Sequence, residues 1–148
     1  MSTTTRPCRI PKERHTILTA EDRFAITDLI NLHGHLTDNG DLDGWPALFT
    51  DEIVYDVTAL GGDVLVGLDA LRAASLALGE NNPVAHHVTN IVLNEVADGT
   101  VRALSKGFGV LTDGSTGSVT YEDTITRTAN GWKITHRIVR PRRVPLQP

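Results

Sequence analysis

Between Glu21 and Leu36 the apolar positions Ala25, Ile26, Leu29, Ile30, Leu32 and Leu36 recur at helical spacing, and Thr19 with Asp22 three residues on forms a capping-box pattern ahead of them. This predicts a first helix over residues 20 to 37. The DNGDLDG run from Asp38 to Gly44 breaks it with turn-forming residues and leads into WPALF, where Pro46 suits the first turn of a short second helix. IVYDV, residues 53 to 57, reads as a strand, Gly61-Gly62 as a turn, and Val64 to Val66 as a short returning strand. The Ala- and Leu-rich stretch from Leu68 to Leu78 predicts another helix, with Gly79 as its stop.

From Val84 the period changes. Four apolar, β-branched runs occupy roughly residues 84 to 96, 101 to 111, 117 to 128 and 132 to 140, separated by the turn sequences ADGT, DGST and ANG. Helices first and a meander of long strands afterwards predict an α+β domain with helices against one face of an antiparallel sheet. No G-x-G-x-x-G or P-loop pattern points to a nucleotide fold.

A chain of 148 residues, 40% apolar, suffices for one domain with one core. Residues 18 to 140 are expected to form it, with a flexible basic arm at 1 to 17 carrying Arg6, Arg9, Lys12 and Arg14, and a tail at 141 to 148. The formal charge of -4 argues against nucleic-acid binding. No stretch reaches the roughly 18 apolar residues of a membrane span. The single Cys8 cannot form an internal disulfide, which fits a reducing, cytoplasmic setting. Acidic residues crowd the segment from Glu21 to Asp69, while Arg137, Arg140, Arg142 and Arg143 cluster near the C-terminus; solvation, or pairing with the acidic half, is the expectation for them.

Three local patterns, taken with this element order, resemble the SnoaL-like branch of the nuclear-transport-factor-2-like superfamily over roughly residues 18 to 140. They are HGHLTDNGDLDGWPALFTDEIVYD (33 to 56), HHVTN (86 to 90) and YEDTITRTANGWKITHR (121 to 137). The resemblance implies a cone: a curved antiparallel sheet with three N-terminal helices enclosing one apolar pocket. It implies chemistry without metal or organic cofactor, and a homodimer, with a trimer as the alternative, through the outer face of the sheet. Superfamily members range from dehydratases, polyketide cyclases and isomerases to noncatalytic binding domains and small subunits of oxygenases, so fold alone does not fix the reaction.

By motif, the acid-base pair of the dehydratase-like members falls on His86 and Asp38. An imidazole titrates near neutral pH and can move a proton beside a carbonyl, while a carboxylate holds its other nitrogen. The structural alternatives are a strand histidine bonded to backbone and a helix-end aspartate bonded to local amides. Strand alternation puts His86, Val88 and Asn90 on one face, where Asn90 would contact the substrate oxygen, and His87 on the other. His33 lies on the apolar stripe of the first helix, with His35 about 200° away, and stands where relatives carry Tyr; a donor, a second base and a packed core histidine all remain open for it. On the last strand, alternation groups Trp132, Ile134, His136 and Ile138 against Lys133, Thr135, Arg137 and Val139, giving His136 a structural or substrate-contacting role on the covered side. Tyr121 and Asp123 share a face of the preceding strand, as site or cross-strand anchors. Trp45, Phe49 and Tyr55 are core residues that can also line the pocket, whereas Phe108 and Trp132 read as core. The expected activity is that of a cofactor-independent lyase or isomerase acting on a hydrophobic, carbonyl-bearing small molecule. Its rivals are a noncatalytic binding domain and a small structural subunit of a larger oxygenase.

Overall fold

The computed structural model describes residues 18–97 and 99–147, so the expected basic arm lies outside the described residues. Helix α1 (Ala20–Asp38) starts at Thr19, whose side chain accepts from the Asp22 amide while the Asp22 carboxylate accepts from the Thr19 amide, a complete capping box. Its buried stripe is Ile26, Leu29, Ile30 and His33. Burial of each large aliphatic side chain there contributes about 1.5–3 kcal/mol. A single 3-10 helix, Leu42–Ala47, follows; Pro46 sits near its end and not in its first turn.

Strand β1 (Phe49–Asp56) begins four residues earlier than its β-branched core suggested. Then come β2 (Val64–Val66), α2 (Leu68–Ala77) and four long strands: β3 (Ala85–Ala97), β4 (Thr100–Val110), β5 (Thr116–Thr128) and β6 (Gly131–Pro141). They form one six-stranded sheet in the order β2-β1-β6-β5-β4-β3. Every pairing is antiparallel, as expected of the sheet, except β1 with β6, which run parallel. Helix α1 packs mainly on β3 and, less extensively, on β6. Among the described residues no helix is long and apolar enough to cross a membrane.

Two irregularities decide which side chains face the helices. Between Thr89↔Lys106 and Val92↔Leu104 strand β3 holds one residue more than β4, and Asn90 takes a left-handed φ of 55°. Asn is among the few side chains that adopt this conformation readily. Between Thr124↔His136 and Ile125↔Ile134 strand β6 likewise holds an extra residue, Thr135. Each bulge reverses the in-out alternation beyond it. Trp132 and Ile134 face inward before the second bulge, and Arg137 and Val139 after it.

Candidate functional site

The C-terminal end of α1 and the start of β3 meet through a close approach. Gly34 is buried against the His86 backbone, where an added Cβ would lie 2.6 Å from the His86 carbonyl oxygen. One turn further on, Asp38 engages His86 twice: Oδ2 accepts from the backbone N–H at 2.9 Å, and Oδ1 lies 2.5 Å from ring Nδ1. A carboxylate only accepts, so Nδ1 is the donor in this contact and Nε2 is the ring nitrogen not engaged by Asp38. Both side chains are partly open, at 17% and 21% exposure. His87 is exposed and stacks on Phe108, ring centroids 4.8 Å apart, on the outside of the sheet.

His33 is buried 6.1 Å from the His86 ring, between Trp45 at 6.4 Å and Phe49 at 5.7 Å. Burial, reinforced by the Arg137 charge and by His86, pushes its imidazole well below the ordinary value, so it is neutral near pH 7. Its Nδ1 has no hydrogen-bond partner among the described residues. Trp45 donates its indole N–H to the Thr37 hydroxyl at 3.3 Å, bracing the 3-10 helix against α1.

The inward register of β5, β6 and β1 brings Tyr121, Asp123, Arg137 and Tyr55 together. Arg137 and Asp123 are wholly buried and joined as a fork: Nε to Oδ1 at 2.7 Å and Nη2 to Oδ2 at 2.8 Å. Burial opposes the guanidinium charge, but the Asp123 carboxylate more than offsets it and raises the affinity for the proton. The guanidinium lies 4.5 Å over the Tyr121 ring and 5.9 Å from the rings of Phe49 and Tyr55. Burial raises the pKa of both tyrosines above the ordinary phenol value, so their hydroxyls stay protonated. Gly107 makes room for Tyr121, because a Cβ there would overlap the Tyr121 ring.

Two expected site residues lie elsewhere. The β3 bulge exposes Asn90, whose carboxamide oxygen accepts from the Thr89 hydroxyl at 2.5 Å, so it does not share the face of His86 and Val88. The β6 bulge turns His136 to the outer face, where it lines a cleft of about 170 Å³ with Asn94, Arg102, Leu104, Glu122 and Thr124. Arg137, expected in solvent or paired with the acidic N-terminal half, is instead the buried cation of the interior. The sequence signal for it was present: Asp123 alternates with Val119, Tyr121 and Ile125, and a carboxylate in a buried register demands an opposite charge. Ser105, also buried and without a hydroxyl partner among the described residues, gave no such signal.

Residues 18–138 match the SnoaL-like domain family. No curated protein matches the chain. A protein from Novosphingobium aromaticivorans provisionally named an aromatic ring hydroxylase is 29% identical, with a TM-score of 0.70, over 85% of this chain and 92% of that one. LinA is 22% identical, TM-score 0.71, over 85% and 90%. A Novosphingobium aromaticivorans protein provisionally named a scytalone dehydratase is 20% identical, TM-score 0.69, over 83% and 85%.

Proposed function

This chain belongs to the SnoaL-like domain family, and on that premise we propose that it is a cofactor-independent lyase or isomerase, of dehydratase or cyclase type, acting on a hydrophobic, carbonyl-bearing small molecule. The observation that carries the reading is the double engagement of His86 by Asp38. The backbone contact fixes where the carboxylate sits, and the ring contact fixes the tautomer and orientation of the imidazole. His86 Nε2 then takes a proton from carbon beside the carbonyl, and the Asp38 carboxylate stabilises the imidazolium that forms. Returning the proton to a leaving hydroxyl gives dehydration; returning it to a different carbon gives isomerisation. His33, neutral and 6.1 Å from His86, serves as a hydrogen-bonding neighbour and not as a second cation.

Carbon-acid chemistry leaves a signature that needs no knowledge of the natural substrate. Incubated in D₂O with cyclic aromatic ketones, the protein exchanges their α-protons for deuterium, and His86→Ala lowers that rate on the order of 100-fold or more. Exchange no faster than in buffer, or unaltered in His86→Ala, contradicts the reading. A second reading, a noncatalytic component of an oxygenase, is favoured by the similarity to the protein provisionally named a ring hydroxylase. Purification from the native cell in complex with a larger redox protein, together with no α-exchange, would establish that alternative.

A further inference from the structure

Asp38 holds the His86 ring only while the end of α1 stands at one separation from the start of β3, and Gly34 lies at the point of closest approach. Glycine is a poor helix former, yet it occupies a buried position inside α1, one turn before Asp38 and on the same face. The reason is steric. A Cβ at residue 34 would lie 2.6 Å from the His86 carbonyl oxygen and 3.4 Å from the His86 Cβ, so that strand backbone, and not the yielding tip of a side chain, stands in its way. His86 therefore meets α1 through both of its backbone groups: its C=O lies against Gly34, and its N–H donates to Asp38 Oδ2 at 2.9 Å. Ahead of the other end of α1 the Leu18 amide donates to Glu95 Oε2 at 2.9 Å, which ties the start of the helix to the far part of β3.

Resting on the acid-base reading of His86, we propose that Gly34 is a positioning residue for the pair: its missing Cβ sets the helix-to-strand separation that an aspartate, and not a longer carboxylate, spans. A side chain at residue 34 must open the gap from 2.6 Å to the roughly 3.4 Å of ordinary contact, a displacement of about 0.8 Å. Because the start of α1 is tethered at Glu95, that displacement falls on the end that carries Asp38. The two contacts of Asp38, at 2.9 Å to the backbone N–H and 2.5 Å to Nδ1, are made by one short side chain and stretch together. A shift of this size takes the backbone contact out of hydrogen-bond range and frees the imidazole to turn. Misplacement on the scale of 1 Å costs a catalytic group up to about 100-fold in rate. Glutamate, longer by one methylene, is too long for the native gap and suits the widened one.

The test crosses two substitutions, Gly34→Ala and Asp38→Glu, in the full chain. One readout is the deuteration of α-tetralone in D₂O. The other is the tautomer of the His86 ring, read by NMR of ¹⁵N-histidine-labelled protein at about pH 8, where free imidazole is neutral, with the His86 signals identified by their loss in His86→Ala. Gly34→Ala is expected to lower the exchange rate at least about tenfold and to move the ring proton off Nδ1, and Asp38→Glu alone to lower the rate at least about tenfold. Together they should exchange at least about threefold faster than Gly34→Ala alone and return the proton to Nδ1. Wild-type rate and tautomer in a folded Gly34→Ala protein overturn the proposal. So does a double variant no faster than Gly34→Ala, which is the result that a merely weakened fold would give. Should Gly34→Ala not fold, Asp38→Glu decides: a rate at least about tenfold below wild type supports a fixed separation, and a smaller loss shows a helix end that adapts and overturns it. The tautomer separates this proposal from the acid-base reading. The expected sequence of tautomers, with no deuteration even by wild type, supports the positioning role and contradicts the acid-base reading; deuteration at one rate by wild type and Gly34→Ala does the reverse.

Discussion

Two carboxylates inside the cone each hold a nitrogen base, and they do so under opposite conditions. Asp38 and His86 sit where α1 meets the start of β3, both partly open to solvent. Asp123 and Arg137 face each other across β5 and β6 with no exposure at all. The buried pair holds a permanent cation in a rigid two-point fork, suited to anchoring structure. The open pair holds a group that can gain and lose a proton, and access to solvent lets that proton come and go. The comparison separates two jobs that a polar interior must do: holding its shape, and exchanging charge with what enters it.

The largest effect tests the buried partner. Asp123→Ala strands the Arg137 charge and should lower unfolding free energy by about 3–5 kcal/mol in urea denaturation. A loss below about 1 kcal/mol would show that the fork is not what holds this part of the core. At the open pair, Asp38→Ala should cost stability no more than about 1 kcal/mol, because solvent replaces much of what is lost. Were the two losses equal, the structural distinction between the pairs would collapse.

A third carboxylate, Asp22, stands at the opposite end of α1 from Asp38 and sharpens the contrast. Its acidity is strengthened to a pKa of about 2, first by the hydrogen bond from the Trp132 indole and then by those from Thr19 and Arg127. A folded-state value below the unfolded one stabilises fully above about pH 4, and that stabilisation is lost as pH falls toward about 2. Urea unfolding followed against pH should show this acid limb, and Asp22→Asn should flatten it. The neutral, buried His33 adds to the decline beginning near pH 6.5, where the unfolded chain takes up a proton that the folded state refuses. The smallest effect is at Ser105, whose hydroxyl is sealed in without a partner among the described residues. Ser105→Ala should be neutral or stabilising by up to about 1 kcal/mol, read from the urea midpoint.

The open pair was singled out by the family resemblance, and the buried pair was missed although Asp123 lay in a buried register. His86 and Asp38 fall within short contiguous motifs that the resemblance carries over, while their residue types alone left structural roles open for both. Arg137 lies beyond a bulge. Counting alternation forward from Trp132 put His136 inward and Arg137 outward, and the extra residue Thr135 exchanged them. The same mechanism displaced Asn90 on β3, where one left-handed residue ended the alternation that had been read through it. Helix starts, turns and the order of elements survive such insertions because they depend on local chemistry. The parallel pairing of β1 with β6 could not be read locally, since it joins strands separated by most of the chain.

The most direct test of the account is the rate of α-proton exchange of α-tetralone in D₂O catalysed by Asp38→Asn, measured beside wild type with the stability of both determined in parallel. The amide keeps the size of the carboxylate but cannot stabilise an imidazolium, so the rate should fall on the order of 100-fold or more while stability changes by no more than about 1 kcal/mol. Exchange at the wild-type rate in a folded Asp38→Asn protein would contradict the claim that Asp38 and His86 act together as the acid-base pair.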